Sequence, residues 1–262
     1  MNVGQITERL EQIAPVSYAE SWDNVGLLVG SEKKEVSKIM IALDATDQVI
    51  EQAVTKNIDL LITHHPMIFS AMKRINEEDF IGRRVIQLIR HDISYYAMHT
   101  NCDVCIMNQE AADRIGLQAE DVLEYVKDGM TGEAMGIGKI GMLKNACTVG
   151  ELAELVKQAF HVQDLRLTGL QEQKVQKVAI STGAGKSMVN HAIQKGAQVL
   201  ITGDIDHHTA IDALAQGLQI IDAGHFGTEH FMVDYVGDYL RKTLNGKAEI
   251  YLAQEQSPFL SL

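Results

Sequence analysis

The chain has 262 residues, 46% of them hydrophobic, and a formal net charge of −12. That is enough apolar material for one large domain or two modest ones. It is too acidic for a general nucleic-acid surface or a polybasic membrane contact. No apolar run approaches the roughly 18 residues of a membrane span. The opening MNVGQITERL has no apolar signal core, and three cysteines cannot all pair within one chain. A reducing, cytoplasmic setting is therefore expected.

Ile6, Leu10 and Ile13 recur at helical spacing, and Ala14-Pro15 stops that helix. SWDNVGLLVG, residues 21–30, reads as a loop leading into a short strand and holds the single tryptophan, Trp22, followed by Asp23 and Asn24. KIMIALDAT, starting at Lys38, predicts a buried strand with Asp44 and Thr46 at its end. A helix carrying Val49, Ile50, Ala53 and Val54 follows, with Asn57 as its terminator. Residues 58–63 predict a buried parallel strand that Pro66 must end, since proline offers no ladder N–H. His64 and His65 then fall just outside the carboxyl end of a strand, where open α/β sheets bind ligands. Ile81, Val85, Leu88 and Ile89 form a helix stripe. Residues 93–98 predict a strand that ends in HTNCD, residues 99–103, and Asn108 to Ile115 a helix closed by Gly116.

Residues 125–150 are glycine-rich and predict turns and short strands at a crossing between lobes. Thr148 to Glu151 is a capping-box pattern that opens a helix through Phe160. KVAISTGAG, from Lys177, predicts a strand into a glycine turn, followed by a helix through Ile193 and then VLITGDIDHH, residues 199–208. The chain finishes with the strand LQIIDAGHFGTEH, an amphipathic helix along Phe231, Tyr235 and Tyr239, and the strand AEIYLA.

Two pieces of the chain match each other. Lys38-Ile39-Met40-Ile41 lies over Lys177-Val178-Ala179-Ile180 at an offset of 139, and Leu60-Leu61-Ile62-Thr63 then meets Val199-Leu200-Ile201-Thr202 without a gap. His64 and His65 correspond to Gly203 and Asp204. His99 and Asp103 align with His225 and Glu229 at an offset of 126. The expected fold is α/β, built as two related lobes by internal duplication with a metal-binding cleft between them. Residues 1–125 with 222–262 make the first lobe and 126–221 the second.

His64, His65, Asp103, His225 and Glu229 suit a two-metal site. Imidazole favours zinc, iron, nickel or manganese, and carboxylates can bridge two ions. A pair of ions acidifies the water held between them and keeps coordination positions open. Other signals are weaker. Cys102 and Cys105 form a CxxC without the second pair a zinc tetrad needs, and read as core or incidental. GAGKS, residues 183–187, lacks the first glycine of a phosphate loop but keeps N–H groups at a helix start. GIGKIG, residues 136–141, reads as turn structure. Asp204, His207 and His208 are either further ligands or a polar edge.

On SWDNVGL (21–27), THHP (63–66), HTNCD (99–103), GIGKIG (136–141), LITGDIDHH (200–208) and DAGHFGTE (222–229), the sequence resembles the GTP cyclohydrolase I type 2 family, also called the Nif-three-like proteins. These stretches span nearly the whole chain. Cys102, Lys139 and CIMNQE depart from the family's usual residues without removing a ligand. The resemblance implies a dinuclear centre held by His64, His65, Asp103, His225 and Glu229, with two divalent ions per chain. It implies His99 close by, either supporting the ligands from behind or poised for proton transfer, Glu229 at the reacting centre, and a homohexamer. The implied activity is a hydrolase acting on a purine nucleotide, GTP in the first instance, opening the imidazole ring with release of formate. Lys139, Lys186 and the 183–187 turn are the candidates for holding a triphosphate. A non-enzymatic metal-binding or regulatory protein would use the same residues.

Overall fold

In the computed structural model, residues 1–260 are described; the last two residues, which the sequence assigns to the first lobe, lie outside them. The chain forms two compact units. One comprises residues 1–102 with 231–256, the other 103–230 with the stretch that begins at Ser257.

The first unit carries a five-stranded sheet in the order β1-β4-β3-β2-β11. Its strands are β1 (Gly26–Val29), β2 (Lys38–Ala42), β3 (Leu60–Thr63), β4 (Ser94–Ala97) and β11 (Glu249–Leu252). Its helices are α1 (Val3–Ile13), α2 (Asp47–Thr55), α3 (Phe80–Arg90), the single turn α4 (Thr100–Cys102) and α10 (Phe231–Leu244). Strands β2, β3, β4 and β11 run parallel, and β1 pairs antiparallel with β4. Every residue of β3 and β4 is buried, as an apolar run covered on both faces requires. Local chemistry sets the helix ends. Asn2 and Gln5 form a capping box at α1, and the Thr46 and Asp79 side chains cap α2 and α3. Asn57 takes the left-handed conformation, φ 52°, in the turn after α2. The core gathers Met40, Leu61, Tyr95, Val85 and Leu88.

The second unit carries a six-stranded sheet in the order β5-β6-β8-β9-β10-β7. Its strands are β5 (Leu117–Asp128), β6 (Ala134–Thr148), β7 (Arg166–Leu167), β8 (Lys174–Ala184), β9 (Val199–Gly203) and β10 (Gln219–Asp222). A π-helical turn, Asp103–Met107, leads into α5 (Asn108–Arg114); α6 (Val149–Phe160), α7 (Met188–Gln194), α8 (His207–Ala215) and α9 (His225–Glu229) follow. The capping box expected at Thr148 and Glu151 is present.

Residues 125–150 correct the sequence reading. They belong largely to β5 and β6, two long antiparallel strands, and not to a run of turns. Gly136 and Gly141 stand where a Cβ would strike the β5 carbonyls of Glu124 and Gln118, so they permit close backbone approach inside a sheet. GIGKIG is accordingly strand. The unit boundaries fall at 102/103, 230/231 and 256/257, whereas the sequence suggests 125/126 and 221/222. The pairing of β5 with β6 and of β10 with β9 draws those segments into the second sheet.

The internal repeat is visible in the registers. Ile39 pairs with Leu60 and Ile41 with Ile62 across β2 and β3; Val178 pairs with Val199 and Ile180 with Ile201 across β8 and β9. Both sets are related by 139 residues. Each sheet places the third repeat strand, β4 or β10, beside the second, and each adds an antiparallel edge strand, β1 or β7, beyond it. Thr63 pairs with Ala97 and Thr202 with Asp222, a relation of 125 residues in the third strand. The histidines after those strands are related by 126, so the second copy holds one additional residue before His225. Gly224, at φ 78°, lies in that turn. Among the described residues, no helix is long and apolar enough to cross a membrane.

Candidate metal centre

In the first unit, the parallel ladder runs on past the end of β3. The His64 amide donates to Ala42 O (3.3 Å) and the His65 amide to Leu43 O (3.0 Å), so both backbones are pinned before Pro66 ends the strand. Tyr95, buried in β4, donates its hydroxyl to His65 O (3.0 Å) and accepts from the Met67 amide (2.7 Å). Burial pushes that phenol up to about 12, which keeps it a neutral donor.

Three imidazoles meet at this edge. Ring centroids are 4.8 Å apart for His64 and His65, 5.2 Å for His64 and His99, and 5.5 Å for His65 and His99. Each offers a ligand atom within 4.8 Å of the others. The Nδ1 atom of each ring faces an acceptor. His64 Nδ1 donates to Met98 O (3.0 Å), His65 Nδ1 to Asp44 Oδ1 (2.9 Å) and His99 Nδ1 to Asp23 Oδ1 (3.0 Å). That arrangement selects the tautomer with the lone pair on Nε2, and carboxylate or carbonyl partners on the far nitrogen are the usual companions of metal-ligating histidines.

Asp44 and Asp23 are themselves held. Glu255 accepts from the Leu43 amide (2.7 Å) and the Asp44 amide (3.0 Å). The Asp23 side chain is fully inaccessible. Besides His99, it accepts from the Thr100 amide (3.0 Å), the Thr100 hydroxyl (2.6 Å) and the Asn24 amide (2.8 Å). Burial alone would raise this carboxyl; the bonds from His99 and Thr100 outweigh it and hold the group at about 2.

In the second unit, His225 opens α9 and Glu229 closes it, one turn apart as the four-residue spacing predicts. His225 Nε2 stands 3.0 Å from Glu229 Oε2, while His225 Nδ1 donates to Asp204 Oδ2 at 2.8 Å. In the tautomer that Asp204 selects, two lone-pair atoms face each other, an arrangement that calls for a proton or a metal ion between them. Glu229 is buried, and the chain at Gly183 comes so close that a Cβ there would strike Glu229 Oε1 and stand 3.3 Å from His225 Nε2. The preceding residue, Thr182, donates its hydroxyl to Asp103 Oδ1 (3.4 Å). The end of β8 thus gathers Asp103, His225 and Glu229 within this unit.

The clustered histidines and the His225–Glu229 pair can hold a metal ion. Within the first unit the structure groups His64 and His65 with His99; within the second, Asp103, His225 and Glu229 flank residues 182–183. Asp204 orients His225. Among the described residues, His207 and His208 join no group of three or more metal-competent side chains; they begin α8, whose cap is Asp206. Lys186 of GAGKS pairs with Asp206 at 2.9 Å. Cys105 is pushed up to about 11 by burial, which makes it a poor nucleophile, in keeping with the incidental reading of the CxxC. Nothing in the sequence marks Asp23, Asp44 or Glu255 for these supporting roles. Asp23 lies 76 residues from His99 and Glu255 lies 212 from Leu43, and no periodicity links such positions.

The profile of the Duf34/NIF3 family, NGG1p interacting factor 3, matches residues 1–258. A Clostridium perfringens protein named GTP cyclohydrolase 1 type 2 homolog is 34% identical over 262 residues, covering 99% of each chain. A Bacillus cereus protein related to NIF3 superposes with a TM-score of 0.92 at 27% identity, over 100% of this chain and 99% of that one. Reduced HcgD from Methanocaldococcus jannaschii superposes with a TM-score of 0.84 at 28% identity, over 97% and 98%.

Proposed function

The chain belongs to the Duf34/NIF3 family, and we propose on that premise that it is a metal-dependent hydrolase of purine nucleotides. His64, His65, Asp103, His225 and Glu229 are the proposed ligands of two divalent ions. GTP is the proposed substrate, by the names of its relatives, with opening of the imidazole ring and release of formate. The observation that carries the reading is the orientation of the imidazoles. His64, His65, His99 and His225 each direct Nδ1 at a carboxylate or carbonyl, which turns Nε2 into the ligating or proton-carrying atom.

The donor set fits divalent ions of the zinc, iron, manganese or nickel group, which accept imidazole and carboxylate together. When bound, such ions supply Lewis acidity and acidify a water. The chain's own residues do the rest. Asp44, Asp204 and the Met98 carbonyl hold three rings in one orientation. The Asp23 carboxylate, kept ionised, fixes the tautomer of His99 and stabilises the imidazolium formed when Nε2 takes a proton, so His99 can move a proton to and from the reacting ring. Glu229, buried beside His225, is the proposed ligand whose charge balances the ions.

The test measures bound metal by mass spectrometry and formate release across a nucleotide panel. The expected results are two ions per chain, turnover that Glu229→Ala abolishes, and loss of at least one ion in His65→Ala. Full metal occupancy in a folded His65→Ala protein overturns the ligand assignment. Two ions with no turnover on any nucleotide replaces the hydrolase with a metal-binding or regulatory protein.

A further inference from the structure

Beside the three histidines stands an aromatic pair that their chemistry does not use. Trp22 is 56% exposed and Phe69 54%, although both rings sit on loops anchored in the first unit. Their centroids lie 5.9 Å apart with planes tilted by 52°, so the rings do not close on each other face to face. The Trp22 ring also meets the His99 ring edge-on at 6.2 Å and 75°. The aromatic surface is therefore continuous with the imidazole cluster.

The rings are placed by their neighbours in sequence. Asp23, next to Trp22, is locked by its bonds to His99, Thr100 and the Asn24 amide. Asn24 Nδ2 donates to Ile68 O at 2.5 Å, tying the Trp22 loop to the residue before Phe69. Two large apolar rings are thus held in place without being buried, which forgoes the apolar burial that ordinarily draws such rings inside. Preorganised aromatic faces of this kind stack on planar heterocycles with little ordering cost, and they accept any base because every base has a π-face. The phenyl ring offers no hydrogen bond and the indole a single N–H, too little to read one base, so the pair selects for ring planarity.

We infer that Trp22 and Phe69 form the seat for the nucleobase-type heteroaromatic ring of the substrate, holding it against His99. This deepens the proposed function and rests on its nucleotide reading, but it is testable without metal or turnover. Trp22 is the only tryptophan of the chain, so tryptophan fluorescence, excited where tyrosine does not absorb, reports on the seat alone. In chelator-treated protein, GMP and AMP are expected to quench that fluorescence saturably, and ribose 5-phosphate is not. Phe69→Ala is expected to raise the Kd for GMP at least fivefold, and Trp22→Ala, followed by calorimetry, at least tenfold. Trp22→Phe is expected to retain most of the affinity. Both alanine variants are expected to reload metal as the parent does.

The inference is overturned if no purine, pyrimidine or pterin compound quenches Trp22, or if Phe69→Ala leaves the affinity unchanged. It is also overturned if the alanine variants lower the sedimenting mass while ligand affinity stays the same, which would make the pair a subunit contact. Formate release from a protein whose Trp22 responds to no ligand leaves the hydrolase standing and removes the seat. Saturable quenching without turnover does the reverse.

Discussion

Replacing Asp23 with asparagine tests how the first histidine cluster is supported. The carboxylate is fully inaccessible and accepts two bonds on each oxygen: His99 Nδ1 and the Asn24 amide on Oδ1, and the Thr100 amide and hydroxyl on Oδ2. An asparagine amide puts an NH2 in place of one oxygen, so two donors lose their acceptor whichever way it turns. The Thr100 hydroxyl can rotate away, but the amides and the imidazole cannot. Losing one or two charge-assisted bonds at roughly 1.5–3 kcal/mol each predicts a destabilisation of about 3 kcal/mol. Titration gives a second route to the magnitude. The depression from an ordinary 3.8 to about 2 corresponds to about 2 kcal/mol by linkage. Because the folded value lies below the unfolded one, this stabilisation is complete above about pH 4 and is lost as the pH falls through about 2. The assay is urea unfolding of parent and Asp23→Asn in chelator, which removes any linkage to bound metal. A difference of about 3 kcal/mol at pH 7 that narrows as the pH falls from 4 toward 2 is expected. A difference below about 1 kcal/mol, the size of a single ordinary hydrogen bond, or one unchanged by acid, refutes the account.

Two other variants probe the supports separately. Asp44→Asn removes the charge that orients His65, and partner loss of this kind weakens metal affinity by roughly 10–100-fold. With Asp44 45% exposed, the lower end is expected in a chelator-competition titration, and an unchanged affinity would show that Asp44 does not act through His65. Gly183→Ala adds a Cβ against Glu229 Oε1 at a backbone φ of +67°; more than about 1 kcal/mol of lost stability is expected in urea together with reduced metal content, and normal values of both would remove Gly183 from the site's support.

The parallel strands were legible because β2, β3, β8 and β9 contain unbroken apolar runs, residues 39–42, 60–62, 178–180 and 199–201, and the helices because their stripes and caps coincide. The ligand candidates were legible because each follows a strand end, where the fold exposes polar groups. Residues 136–141 were misread because glycine signals both turn and close approach, and only the partner strand β5 distinguishes them. Asp23, Asp44 and Glu255 escaped because their roles exist only as tertiary hydrogen bonds: a lone carboxylate in a loop carries no mark of the ring it will hold.

The two copies show how one scaffold came to carry different donors. In the second copy, which has one more residue before His225, the turn at Gly224 lies against the end of β9. A Cβ on Gly203 would stand 2.5 Å from the His225 nitrogen and 2.6 Å from the Gly224 carbonyl carbon. Position 203 corresponds to His64 in the first copy, where an imidazole is accommodated in full burial. A histidine at 203 is therefore excluded on steric grounds. The next position changes in a compensating way. His65 in the first copy takes its orientation from Asp44, which corresponds to Gly183 in the second. There Asp204 stands in place of His65 and orients His225 instead. His99, the counterpart of His225, has a histidine at position 65 and draws its carboxylate from Asp23, outside the repeated segment. Each copy thus gives its third-strand histidine an acidic partner by a different route, and the glycine at 183 leaves room beside His225 for the Glu229 carboxylate. The feature common to both copies is an oriented imidazole just past the end of the third strand; the first- and second-strand registers match between copies up to Ile41 and Ile180, and differ beyond them.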